Sequence, residues 1–323
     1  MTAPTRKPRM SDVAVEAGVA LATVSRALNE PHMLRADTLA RVHDAIARLG
    51  YVPDLTAGSL ASSRSFIVGA VVPTLANSWF ADTLEGLSQR LAQAGYHLML
   101  AQSGYGPDAD DSLVAAFLGR RVDAIALTGA HQSETLRNQL RHAGLPVVQL
   151  WDLPDPPIDM AVGFSNADAG ACVARHFIER GRQSVGFIGA NEPRSLARLH
   201  GLQAAWTAEG HGVPAIELIA PGQPLEAGAA AIERMVARVP QLDAVFCSND
   251  TLAAGALIAC RDHGWSVPAR LAVAGFSDMP VARACTPALT TVRVEPRLLG
   301  EHAARLLLAR LQGQVLSPAE RRV

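Results

Sequence analysis

The sequence predicts a small all-α module of three helices joined by a short linker to a larger α/β body of two parallel-sheet lobes. Two observations place the boundary. Apolar residues recur with a helical period up to residue 50, and after residue 65 they gather into short strands alternating with amphipathic stretches. Between the two patterns lies a segment opened by Pro53 and carrying Gly58. Size agrees: 323 residues are too many for one simple domain, and 49% of them are hydrophobic, enough for a substantial core.

In the first module, Met10, Val13, Ala14 and Ala17 fall at i, i+3, i+4 and i+7, and Gly18 breaks that helix. Val24, Ala27 and Leu28 make a second stripe. Its opposite face carries Leu21, Ala22, Ser25, Arg26 and Asn29. Leu39, Val42, Ile46 and Leu49 form a third stripe, closed by Gly50. Three helices so closely spaced make sense as a compact unit, a helix-turn-helix headpiece whose second helix suits the major groove of DNA. Arg26 can donate a bidentate pair to guanine, Thr23 and Ser25 can bond phosphates or bases, and Leu21 and Ala22 can touch thymine methyls. Each of these residues also fits an ordinary exposed helix surface. Bulk charge does not decide: 18% of residues are charged and the net charge is -1, though Arg6, Lys7 and Arg9 give a basic tail.

The run SDVAVEAGVALATVSRALN, followed by TLARVHDAIARLGYVPDLTAGSLASSRSFIVGAVVP, resembles the headpiece, hinge and first strand of the LacI family of bacterial repressors. The resemblance continues at lower density through most of the chain. It implies sequence-specific binding of double-stranded operator DNA, with Leu21, Ala22 and Arg26 where the family reads bases. It also implies that residues 54–65 form a hinge helix that orders in the minor groove when two copies lie together, with Leu60 as the wedge between base pairs. A helix of six or seven residues is marginal alone, and Gly58, where the family often has Arg, weakens it further. Two further departures are Ala20, where a Ser or Thr usually opens the recognition helix, and Arg9, where a Thr usually caps the first helix. Each lost cap costs about 0.5–2 kcal/mol, so a headpiece of modest intrinsic stability is expected, firmed by docking on DNA.

Strands are expected at FIVGAVV, YHLMLAQ, DAIALTG, PVVQLW, SVGFIG, DAVFCS, LAVAGF and LTTVRV, with helices around Phe80–Ala94, Ala167–Arg180, Leu196–Glu209 and Thr251–His263. Near-continuous apolar strands alternating with helices argue for parallel sheets covered on both faces. The resemblance arranges them as a periplasmic-binding-protein-like body of two Rossmann-type lobes. The expected domains are residues 1–53, the hinge 54–65, and an effector-binding and dimerisation body 66–323. Lobe one takes about 66–164 plus 293–323, and lobe two about 165–292.

Ligands of such sheets sit at the carboxyl ends of strands and between lobes. Trp79 and Phe80 follow the first strand, while Gln149, Trp151 and Asp152 end the fourth. The resemblance adds Arg198, at the position the family uses to grip its effector, and Asn249 and Asp250, which otherwise serve as helix caps. A guanidinium among amide and carboxylate groups suits a ligand with one carboxylate and several hydroxyls, a sugar acid. LAQSGYGPDADD, IDMAVGFSNADAG and PQLDAVFCSNDTLAAGALIACRDHGWSVP are most similar to the gluconate-utilisation repressors of the family. Ser277 stands where many relatives have an Asp that anchors a purine or neutral sugar; gluconate, ketogluconate and phosphorylated relatives stay open.

No Gly-x-Gly-x-x-Gly, Walker, Gly-x-Ser-x-Gly or His-Glu-x-x-His motif is present, so no catalytic residue and no cofactor is expected. Asp108, Asp110 and Asp111 precede a helical stretch and read as complements of its dipole rather than as a metal site. Cys172, Cys247, Cys260 and Cys285 are scattered and read as reduced thiols. A signal peptide and a membrane-spanning run are absent, which points to the cytoplasm and, for the bound form, the nucleoid. Three rival readings are a sugar-binding transport protein, which has no use for the headpiece, a LacI-type regulator whose ligand is a different sugar or acts as co-repressor, and an α/β enzyme acting on sugar acids. The expected mechanism is a homodimeric repressor released from DNA by its effector, the sign of coupling being implied by the resemblance alone. The family normally continues past SPAERRV with one or two strands, so a bare sheet edge is expected near the carboxyl end.

Overall fold

The computed structural model describes residues 6–52, 64–106 and 108–323. The chain falls into two compact units, Met1–Ser65 and Phe66–Val323.

The first unit is trihelical. α1 (Met10–Ala17), α2 (Leu21–Asn29) and α3 (Ala36–Leu49) are joined by tight turns, the second of them a 3-10 turn at Pro31–Met33. Val13, Ala14, Ala17, Val24, Ala27, Val42 and Ala45 form its core, closed by Tyr51, with Met10, Leu28, Leu39, Ile46 and Leu49 packed around them. The three apolar stripes of the sequence thus meet one another. Gly18 ends α1 at φ 63°, with Val19 N donating to Ala14 O at 3.0 Å, a left-handed cap that a side chain would strain. The cap missing at Arg9 is partly replaced from within the helix: Asp12 Oδ2 accepts the Arg9 amide at 2.7 Å. Ala20 has no such substitute, and α2 begins without a side-chain cap.

The second unit holds two five-stranded parallel sheets. In chain order its first half runs β1 (Ile67–Val72), α4 (Ser78–Ala92), β2 (His97–Gln102), α5 (Asp111–Gly119), β3 (Ala124–Thr128), α6 (Glu134–Ala143), β4 (Val147–Leu150) and β5 (Met160–Val162). Its second half runs α7 (Asn166–Glu179), β6 (Val185–Ala190), α8 (Pro193–Ala208), β7 (Ala215–Ile219), α9 (Leu225–Arg238), β8 (Ala244–Cys247), α10 (Asp250–Asp262), β9 (Ala272–Ser277), α11 (Pro280–Ala284) and β10 (Thr290–Arg293). α12 (Pro296–Leu311) then returns to the first lobe. Strand order is β2-β1-β3-β4-β5 in one sheet and β10-β9-β8-β6-β7 in the other.

All eight predicted strands form. β5 and β7 were not predicted. β5 is three residues long, and β7 is a half-buried edge strand, so neither carries a sustained apolar run. Both faces of the first sheet are covered, which explains its unbroken apolar strands. Val68, Ala70 and Val72 pack with Leu84 and Leu87 of α4 and Leu306 and Leu307 of α12. Val71, Ile125 and Leu127 pack with Phe117 and Leu136 on the other face.

The outer edge of β5 is not bare, contrary to expectation. Residues 321–323 run along it, with Ala161 N donating to Arg321 O at 2.7 Å and Gly163 N to Val323 O at 2.8 Å. Among the described residues no helix is long and apolar enough to cross a membrane, and no cluster of His, Cys, Asp and Glu could hold a metal ion.

Candidate functional site

Two surfaces carry the candidate residues. In the headpiece, Val24 and Ala27 point into the core while the opposite side of α2 stays open. Leu21 is 52% exposed, Ala22 and Arg26 are exposed, and Thr23 and Ser25 are half-buried. The first turn of this helix offers backbone amides without a side-chain cap, a suitable partner for a phosphate. Asn29 ends the helix, but its side chain and all of Leu60 lie outside the described residues.

In the body, a cleft opens between the lobes at the carboxyl ends of the strands. Its lining includes Trp79, Phe80, Trp151, Arg198, Asn249 and Ser277, six of the residues predicted from sequence. Three predicted residues do not line it. Gln149 is fully buried behind the cleft, its Nε2 donating to Gln132 Oε1 at 2.7 Å and its Oε1 accepting Ile158 N at 2.8 Å. Asp250 is fully buried as well. It accepts Met279 N at 2.7 Å and the Thr291 hydroxyl at 2.6 Å, tying α10 to β10, and burial pushes its carboxyl up. Asp152 turns back on its own loop to accept Leu153 N at 3.0 Å, and reaches Arg198 through its charge alone. Asn249 serves in both ways: its Oδ1 caps α10 by accepting Leu252 N at 2.9 Å, and the residue still faces the cleft.

Sequence reasoning missed Glu192, Arg194 and Tyr105, which also line the cleft. A signal for Glu192 was present. An acid followed by Pro193 directly after a strand marks a helix start at a carboxyl strand end. Its carboxylate caps α8, accepting Ser195 N at 2.8 Å and Arg194 N at 3.3 Å. The same group stands 3.4 Å from Arg194 Nε and 3.8 Å from Arg198 Nη2. Burial alone would raise the Glu192 carboxyl, but the two guanidiniums and the two amides outweigh it and hold it below the ordinary range. Arg198 is pulled down to about 10 by burial and still carries its charge at neutral pH.

Aromatic rings build the wall. Trp79, Phe80, Trp151, Phe164 and Phe276 form a continuous series with centroids 5.6–6.4 Å apart, spanning both lobes. Arg194 lies over Phe80 at 5.4 Å and Arg198 over Phe276 at 4.2 Å. The charged side chains of the lining are thus two guanidiniums and one carboxylate, leaving one net positive charge against an apolar wall.

A trihelical headpiece with an open second helix, linked to two parallel-sheet lobes that enclose a polar cleft, defines a DNA-binding transcriptional regulator. Residues 9–54 match the bacterial regulatory proteins of the lacI family, and residues 174–323 match the periplasmic binding protein-like domain. A transcriptional regulator named GntR from Pseudomonas aeruginosa is 34% identical over 97% of this chain and 92% of its own length. The chain belongs to the LacI family. A LacI family protein from Silicibacter pomeroyi superposes with a TM-score of 0.92 at 30% identity, over 98% of this chain and 96% of that one. The lac repressor dimer bound to operator and the anti-inducer ONPF gives 0.84 at 25% identity, over 96% and 94% of the two chains.

Proposed function

We propose that this regulator is a homodimeric repressor of sugar-acid catabolism genes of the gluconate type, released from its operator when a sugar acid binds in the cleft. The reading assigns residues 1–53 to operator recognition, 54–65 to the hinge, and 66–323 to effector binding and dimerisation. Base and phosphate contacts are given to Leu21, Ala22, Thr23, Ser25, Arg26 and Asn29, with Leu60 as the minor-groove wedge. The effector is given to Trp79, Phe80, Trp151, Arg198, Asn249 and Ser277. The protein acts in the cytoplasm, on nucleoid DNA.

One observation carries the sugar-acid reading: Arg194 and Arg198 flank Glu192 at 3.4 and 3.8 Å, leaving a single positive charge in the cleft. A monoanion neutralises it, and the amide of Asn249 and the hydroxyls of Ser277 and Tyr105 suit several ligand hydroxyls. Asp278, the acid next to Ser277, is engaged by Arg283 and Arg293 at 2.8 Å each, which leaves the serine as the polar group at that point of the lining.

The test is a thermal-shift screen of gluconate, 2-ketogluconate, 6-phosphogluconate and neutral sugars, followed by operator mobility shift with each stabilising compound. The expected outcome is stabilisation by an unsubstituted sugar acid and loss of the operator complex. Stabilisation by neutral sugars alone would overturn the ligand class. Tighter operator binding in the presence of the acid would reverse the sign of the switch.

A further inference from the structure

Asn166, the first residue of α7, is 2% exposed and lines neither the DNA-facing surface nor the cleft. Both ends of its carboxamide are nevertheless committed. The Oδ1 accepts from Nη1 of Arg198, and the Nδ2 donates to the carbonyl of Trp151 at 3.1 Å. Asn166 and Arg198 belong to the second lobe, while Trp151 directly follows β4 in the first. A single planar amide therefore ties the buried cation of the cleft to the backbone of the opposite lobe.

Neither partner is fully satisfied where it stands. Trp151 sits at φ 70°, a left-handed conformation that a bulky side chain adopts at a cost of about 1–3 kcal/mol. Its indole Nε1 is buried without a hydrogen-bond partner. On the other side, Arg198 Nε is also buried and unpartnered, and Nη2 stands 3.8 Å from Glu192, beyond hydrogen-bond reach. Among the described residues, the bond to Asn166 is thus the hydrogen bond that fixes the guanidinium.

We propose that Asn166 is the coupling residue of the cleft, a positioning residue that passes the state of Arg198 to Trp151 and so to the angle between the lobes. The inference rests on reading Arg198 as the cation that meets the effector. An anion drawing the guanidinium toward itself re-aims Nη1, and the amide cannot then satisfy Arg198 and the Trp151 carbonyl together. The strained Trp151 relaxes, carrying with it the rings of Trp79, Phe80 and Phe164. A ligand shifts a two-state equilibrium only through contacts that differ between the states, and the paired bonds of Asn166 are such a contact.

The test uses the full chain with gluconate as probe. Gluconate affinity is measured by calorimetry without DNA. Operator affinity is measured by anisotropy with and without saturating gluconate, for the wild type, Asn166→Ala, Arg198→Lys and the double variant. For Asn166→Ala, gluconate affinity is expected within about threefold of wild type, while the ratio of operator affinities falls about tenfold, within the range of ordinary allosteric couplings. The two substitutions are expected to be non-additive in that ratio. If Asn166→Ala does not fold, Asn166→Ser replaces it. An unchanged ratio overturns the proposal, as does a loss of gluconate binding in proportion to the loss of response, which marks a merely structural residue. A wild type that ignores gluconate sinks the sugar-acid reading and the coupling claim together. A responsive wild type beside an equally responsive variant sinks the coupling claim alone.

Discussion

Glu192 and Arg198 stand 3.8 Å apart in the cleft, close enough for strong attraction yet without a hydrogen bond between them. The carboxylate is held in place by its other duty, capping α8, so it tempers the guanidinium rather than capturing it. Glu192→Gln keeps a cap acceptor and removes the negative charge. Anionic ligands are then expected to bind about three- to tenfold more tightly at low salt, with the gain shrinking as ionic strength rises. Calorimetry with gluconate at two salt concentrations checks this. Unchanged affinity would mean that Arg198 does not meet the anion.

Two buried carboxyls give opposite pH dependences. Glu192 is lowered, so its contribution to stability is present at neutral pH and lost as pH falls through its folded pKa, below the ordinary value of 4.5. Asp250 is raised by burial, so the folded state favours its protonated form and its contribution fades as pH rises through the raised pKa. Asp250→Asn is therefore expected to flatten the loss of stability between acid and neutral pH while leaving gluconate affinity unchanged. Melting midpoints from pH 4 to about 8 measure the first effect, and calorimetry the second. A large fall in gluconate affinity would restore Asp250 to the cleft.

What the sequence made legible follows from periodicity and position. Val13, Val24 and Val42 announce themselves by helical spacing, and they meet in the headpiece core. Trp151 and Asn249 lie just beyond carboxyl strand ends and Trp79 opens the helix that follows β1, so the strand and helix pattern brings them to the cleft. Gln149 and Asp250 fail for a physical reason: near a strand end, adjacent residues face opposite ways, and one-residue changes separate cleft from interior. Gln149 is still inside β4 and Asp250 already inside α10. Asn166 was beyond reach, because its role depends on α7 and α8 crossing closely, which no local pattern encodes.

The uncapped start of α2 gives a prediction in the headpiece. Ala20 has the extended backbone of an N-cap, φ -67° and ψ 151°, without a side-chain acceptor. Ala20→Ser is expected to stabilise the headpiece by about 0.5–2 kcal/mol. Thermal melts of a fragment spanning residues 1–52 check it. No gain would mean that the first amides of α2 are already satisfied by another route.

Arg26 gives the complementary test on DNA. It is exposed on the face opposite Val24, so Arg26→Ala is expected to leave the melting midpoint unchanged. Operator affinity should fall by about 1–3 kcal/mol, with discrimination relaxed at one base pair. A uniform loss across all operator sequences, with a shallower salt slope, would show that Arg26 contacts phosphate instead.

The crossing of α7 and α8 is set by two glycines. A Cβ on Gly170 would lie 1.9 Å from Arg198 O, and one on Gly201 would lie 1.8 Å from Ala167 O. Those are backbone atoms and cannot swing aside, so Gly201→Ala must push the helices apart and shift the backbone that carries Arg198 relative to the cleft. Helix propensity alone favours Ala by about 1 kcal/mol, whereas overpacking costs about 1–3 kcal/mol or more, so a net loss of stability is expected. Gly69→Ala is the control. Its Cβ would run into the buried Phe117 ring between β1 and α5, on elements that carry none of the cleft residues. Both variants should melt earlier, but gluconate affinity should fall in Gly201→Ala and hold within about twofold in Gly69→Ala, since distant sites act independently. Equal losses of affinity in both would mean that general loosening of the lobes, and not the aim of Arg198, sets the affinity.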